Sequence, residues 1–165
     1  MSEKEKIKVY LEAGGVKVSF EGDVNQVIES MIKFLTRIYP GIEIIQKISF
    51  IPDLAKLADM IAGIVEITVD GPIIVSEEDL TARNAICLAL LGAYVGKGLG
   101  ILQKDTLTTR ELSMLIGKAK KTIMNELPKL TGEGLVERTS GREYKITMLG
   151  IKRAEKIVET LRKNV

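Results

Sequence analysis

Apolar and polar positions alternate in two early runs, Ile7, Val9 and Leu11 against Lys8, Tyr10 and Glu12, then Val16, Val18 and Phe20 against Lys17, Ser19 and Glu21. A period of two is that of half-buried strands. Ala13-Gly14-Gly15 between them is turn chemistry, so an antiparallel hairpin is expected. The period then changes. Val24, Val27, Ile28, Met31, Ile32, Leu35 and Ile38 form one broad helical stripe, opened by Asp23 and Gln26 at capping-box spacing and stopped by Tyr39-Pro40-Gly41. Residues 42–45 and 48–51 are short apolar runs of strand length. Pro52-Asp53 opens another helix with Leu54, Leu57, Ala58 and Ile61 on its face and Gly63 at its end. Residues 64–69 and 73–75 read as strands around Asp70-Gly71-Pro72.

Ser76 and Asp79, amid Glu77 and Glu78, make a strong helix start, the acids suiting the positive end of the helix dipole. Residues 80–95 are apolar on nearly every side, as in a buried helix. Gly96-Lys97-Gly98-Leu99-Gly100 lacks the spacing of a phosphate-cradling loop and follows a helix, so it reads as a flexible connector. Thr108 and Glu111 form a T-x-x-E capping box for a helix carrying Leu112, Leu115 and Ile116, which Gly117 turns out of. Over residues 119–130, Ile123, Leu127 and Leu130 recur at helical spacing, and Lys120, Lys121, Asn125 and Lys129 lie mostly off that stripe. Strands over 135–139 and 142–147 flank Ser140-Gly141. A last helix from Met148 repeats Ile151, Ala154, Ile157, Val158 and Leu161 down one side.

The 165-residue chain is 45% hydrophobic, enough for one ordinary domain or two small ones with a real core. Its net charge of +2 divides unequally: residues 103–165 hold 14 Lys and Arg against 8 Asp and Glu, and residues 1–102 hold 10 against 14. A basic part beside an acidic part favours a polyanion on one face. With no histidine, and a single Cys87 in an apolar run where a buried, inert thiol is expected, the commonest general base, zinc ligands and thiol nucleophile are missing. No paired carboxylates stand out. Neither a catalytic site, a metal nor a cofactor is therefore expected. The absence of a membrane-length apolar run or a secretory signal gives the expectation of a cytoplasmic protein without membrane contact. Few Asn and Gln beside many Ile, Lys and Glu is the bias of a thermophile protein.

The segment I-G-K-A-K-K-T-I-M-N-E-L-P-K-L-x-x-x-G-L-V-E-R, followed by G-R-E-Y-K-I-T-x-x-G, resembles the winged helix-turn-helix regulators common in archaea and bacteria. The resemblance covers about the last ninety residues and implies that the second helix of the pair enters the major groove while the wing follows the adjacent backbone. It places Lys120, Lys121, Met124 and Asn125 toward the groove and Arg138 and Arg142 beside the wing tip. Lys118, Thr122, Lys129, Arg138 and Arg142 are then phosphate contacts, and Lys120, Lys121 and Asn125 base contacts. Terminal helices in this family often make the dimer, which implies a homodimer.

These readings give an α+β protein: an N-terminal ββα-containing α+β domain over residues 1–75, for dimerisation or effector or partner binding, then a winged helix-turn-helix domain over residues 76–165. The expected function is a transcriptional regulator binding double-stranded DNA, with a protein partner conceivable at the N-terminal domain. The alternative is an interaction module of a larger transcription, replication or translation assembly, docking through its winged domain. Ala119 at a cap position, Glu126 on the basic helix and Pro128 inside it depart from the family pattern, and the last two favour that alternative.

Overall fold

The computed structural model describes residues 6–41, 52–76 and 79–163. It is a mixed α+β chain of two compact units, Met1–Ile51 and Pro52–Val165. The apolar runs 42–45 and 48–51, as well as Glu77 and Glu78, lie outside the described residues.

In the first unit, β1 (Ile7–Ala13) pairs antiparallel with β2 (Val16–Gly22) in a register that sets Val9 opposite Phe20 and Leu11 opposite Val18. Helix α1 (Val24–Ile38) follows. The Asp23 carboxylate accepts from the Gln26 amide at 3.0 Å and the Gln26 side chain accepts from the Asp23 amide, completing the capping box read from sequence. The helix lies on the strands' alternating apolar face, where Phe34 meets Phe20 edge to face at 5.9 Å.

The second unit is built around α3 (Ala82–Gly98), whose residues 85–93 are all buried. On it pack α2 (Leu54–Ile61), the hairpin β3 (Val65–Thr68) and β4 (Gly71–Ile74), and the helices α4 (Thr109–Ile116), α5 (Lys120–Gly132) and α6 (Met148–Lys163). A three-stranded antiparallel sheet, ordered β5-β7-β6, joins β5 (Leu107–Thr108), β7 (Glu143–Ile146) and β6 (Val136–Arg138). Neighbours on every side explain why the sequence of α3 shows no polar stripe.

The structure changes three expectations. The cap of α3 is Thr81, whose Oγ accepts from the Asn84 amide at 3.3 Å, and Asp79 and Leu80 precede the helix without belonging to it. The glycine-rich run is not a connector from Gly96: the helix continues to Gly98 because these glycines serve close packing. A Cβ at Gly92 would lie 2.6 Å from Pro72 Cβ, and one at Gly96 would lie 2.8 Å from Ile67 Cγ2, so the β3–β4 hairpin approaches the helix only where it lacks side chains. Residues 52–75, grouped by sequence with the first 51, instead belong to the second unit. Arg162 of α6 fixes them there, its guanidinium donating to the carbonyls of Asp59, Met60 and Ala62 at 3.3, 3.0 and 3.2 Å and so closing the C-terminus of α2.

Candidate nucleic-acid interface

The candidate surface begins with two helices joined by three residues. Thr108 and Glu111 form the capping box that starts α4: the Thr108 Oγ accepts from the Glu111 amide at 3.1 Å, and the Glu111 carboxylate accepts from the Thr108 amide at 2.7 Å. Gly117 ends the helix at φ 71° and ψ 22°, a left-handed conformation that costs glycine nothing. The Ser113 hydroxyl donates to the Lys118 carbonyl at 2.7 Å and holds the turn closed. Leu112, Ile123, Leu127 and Leu130 are buried, anchoring α4 and α5 beneath α3.

That burial decides what α5 shows to solvent. Lys120, Lys121, Thr122, Met124, Asn125 and Lys129 are all exposed on the helix. Its N-terminus has no side-chain cap, since Ala119 offers no acceptor; the Thr122 and Ile123 amides donate to the Ala119 carbonyl, and those of Lys120 and Lys121 precede them. Pro128 is accommodated within the helix. Met124 and Pro128 are both exposed, so the carbonyl deprived of its helical donor lies on the solvent side.

The cations divide into free and compensated groups. Lys129 reaches Glu126 at 2.8 Å, and Lys118, half-buried, lies 3.6 Å from Asp79. Lys120, Lys121, Arg138 and Arg142 form no ion pair among the described residues. Arg138 ends β6 opposite Tyr144, and Arg142 follows the Thr139-Ser140-Gly141 tip. Arg142 takes φ 60°, the one positive φ at a non-glycine position among the described residues. The tip is closed by the Thr139 amide donating to the Glu143 carbonyl at 2.8 Å.

At its other edge the ribbon is held by β5, a strand too short to be read from sequence. Glu143 accepts from Lys104 and, at 2.6 Å, from the Thr106 hydroxyl, and these bonds hold its carboxyl below the ordinary range. Lys104 also lies 3.2 Å from Glu111. Burial pushes the Glu111 carboxyl up, but its bonds with Thr108 and Lys104 outweigh that and leave it below its usual value. One cluster therefore ties the ribbon to the start of α4. Arg83 pairs with Glu133 and likewise ties the start of α3 to the end of α5.

Two exposed side chains on α4 went unremarked in the sequence: Arg110, without an ion pair, and Met114, 72% exposed. The signal was present in the spacing, because a face made by Leu112, Leu115 and Ile116 leaves positions 110 and 114 outside it. The last helix, α6, packs back on its own unit. Ile151, Ala154, Ile157, Val158 and Leu161 are buried, so its apolar side is used inside its own unit, where it packs on α3. Cys87 is buried, and burial pushes its thiol up to about 11. No cluster of potential metal ligands occurs among the described residues. No described helix is long and apolar enough to cross a membrane.

Searches of family models, curated proteins and solved structures found no match to this chain.

Proposed function

We propose that the second unit is a winged helix-turn-helix that binds double-stranded DNA, and that the protein is a homodimeric transcriptional regulator. The observation that carries this reading is the outer face of α5, where Lys120 and Lys121 stand without counter-charges beside Asn125 and an uncapped helix start. Free amides and lysines at a helix N-terminus suit phosphate oxygens. Asn125, one turn on from Lys121, suits the paired donor and acceptor of adenine, and the exposed Met124 suits a thymine methyl. In this reading α4 crosses the backbone, α5 enters the major groove and the β6–β7 ribbon is the wing, with Arg138 and Arg142 on phosphates. Lys118 and Lys129 contribute less, being compensated by Asp79 and Glu126.

The test is fluorescence anisotropy against a random-sequence duplex over a salt series. Affinity should fall with salt at a slope of about −0.9 per phosphate contact, and Lys120→Ala with Lys121→Ala should flatten that slope by about 2. Absence of binding at low salt would turn the reading to protein docking. A specific feature favours that second reading: Met114 and Met124 are 72% and 56% exposed, and methionines adapt well to apolar partners. Binding through them should survive high salt.

A further inference from the structure

A second group of cations without ion pairs stands on α6. Along one border of that helix's buried side, Arg153, Lys156 and Thr160 follow one another at spacings of three and four, sharing a face with Ile157 and Leu161. Glu155 and Glu159 fall beyond the opposite border. Asn84 of α3 stands against this face, and the six residues Asn84, Arg153, Lys156, Ile157, Thr160 and Leu161 line a recess of about 250 Å³. Its floor is apolar, Ile157 and Leu161 being 6% and 9% exposed.

The polar groups at the rim are uncommitted. Arg153 and Lys156 are exposed and form no ion pair among the described residues. Glu133 lies within the field of Arg153 but is bonded to Arg83. Asn84 is half-buried; its backbone amide donates to the Thr81 hydroxyl oxygen at 3.3 Å, and its carboxamide has no hydrogen-bond partner among the described residues. The Thr160 hydroxyl already donates to the Lys156 carbonyl at 2.9 Å. A guanidinium, an ammonium and an amide are therefore the donors that remain.

We propose that this recess binds a small phosphate monoester, with its phosphate on Arg153, Lys156 and Asn84 and its carbon portion on Ile157 and Leu161. The donor set selects that class. Two cations match a dianion, whereas a single carboxylate would leave one of them unmatched, and a guanidinium meets two phosphate oxygens at once. The amide comes from another helix, so the ligand bridges α3 and α6. The floor offers nothing to a second phosphate, and the volume lies below the roughly 300–1,000 Å³ of sites for drug-sized ligands, so the ligand is small. A nucleic-acid backbone presents the same group as a singly charged diester, which matches the two cations less well. None of the lining residues is a proposed DNA contact, and the site rests on neither the duplex reading nor the homodimer.

The experiment titrates phenyl phosphate and inorganic phosphate into the full chain at fixed ionic strength, by calorimetry and by proton–nitrogen NMR, in which the Asn84 side-chain amide reports the location. Phenyl phosphate should saturate the site at millimolar concentration, with inorganic phosphate several-fold weaker for want of the apolar floor. Arg153→Gln and Lys156→Gln should each weaken phenyl phosphate at least fivefold and Asn84→Ala several-fold, while Lys120→Ala with Lys121→Ala leaves it unchanged. No saturable binding, or binding that Arg153→Gln leaves intact, would overturn the proposal. Binding lost in the Lys120 and Lys121 variant would place the anion on α5 and overturn it too. Duplex affinity reduced by Arg153→Gln, with no binding of phenyl phosphate, would assign the recess to a backbone phosphate and overturn the small ligand. Should Asn84→Ala misfold, the Asn84 amide shift in the unaltered chain decides the location.

Discussion

Arg142→Gly should stabilise the protein and, on the proposed reading, weaken DNA binding at once. Arg142 holds φ 60° at the ribbon tip and is exposed, without an ion pair. The left-handed region costs an ordinary L-residue roughly 1–2 kcal/mol because its Cβ crowds the neighbouring carbonyl. Glycine escapes that cost but loses about 0.5–1 kcal/mol more chain entropy on folding. The net gain is about 0.5–1 kcal/mol, which for a unit of this size raises Tm by roughly 2–5 °C. If the side chain meets a phosphate, its removal reduces the salt slope by about 0.9 and the affinity about fivefold at 0.15 M salt. Calorimetry and anisotropy read the two effects. Arg142→Asn, which tolerates the left-handed region, should show the stabilisation in weaker form and the same loss of slope, and Arg142→Lys should show neither. A lowered Tm in Arg142→Gly would refute the strain argument, and an unchanged salt slope would refute the phosphate contact.

Three further outcomes follow from the packing and the charge clusters. Gly92→Ala should lower Tm by several degrees, since overpacking against the rigid Pro72 ring and Val65 costs about 1–3 kcal/mol and outweighs the better helix propensity of alanine, worth about 1 kcal/mol; a raised Tm would show that the hairpin yields. Glu143 has a depressed carboxyl in the folded chain, so its contribution to stability is present above the ordinary value of 4.5 and is lost as pH falls through the depressed one. Tm measured down an acid series should therefore fall less steeply in Glu143→Gln than in the wild type. Cys87, buried and with its thiol pushed up to about 11, should resist thiol reagents in the folded protein and react in step with unfolding, as a stopped assay in denaturant would show.

Legibility in the sequence followed the range of the interaction. Capping boxes at Asp23 and Thr108 were readable because their partners lie three residues away, and both formed. The α5 stripe was readable because a helix repeats its buried face, and Ile123, Leu127 and Leu130 are buried. Thr81 was hidden by a better-looking acidic start just before it, and no local rule distinguishes two adjacent caps. Gly92 and Gly96 look alike as connector or contact until Pro72 and Ile67 are brought to them by the chain's return. The strand β5 exists only through its pairing with β7, so nothing at Leu107 announces it. Of the eight candidate contact residues, sequence offers the charges and, three residues before Lys129, the Glu126 that neutralises it, but not the neutralisation of Lys118. Asp79 beside Lys118 comes from another part of the chain.

The charge asymmetry takes on a different meaning once the units are known. The first 51 residues are electrically balanced, and the acidic excess lies wholly in residues 52–102, where 7 Asp and Glu face 3 Lys and Arg. That acidic stretch shares a unit with the basic residues 103–165. The second unit therefore carries both signs, and among its described residues cations without an ion pair stand on α4, α5, the ribbon tip and α6. Such a unit gains little from net charge, because most of it cancels within the unit at a distance. It gains orientation instead. On the proposed reading, the unpaired lysines of α5 and the arginines of the ribbon orient a polyanion before contact.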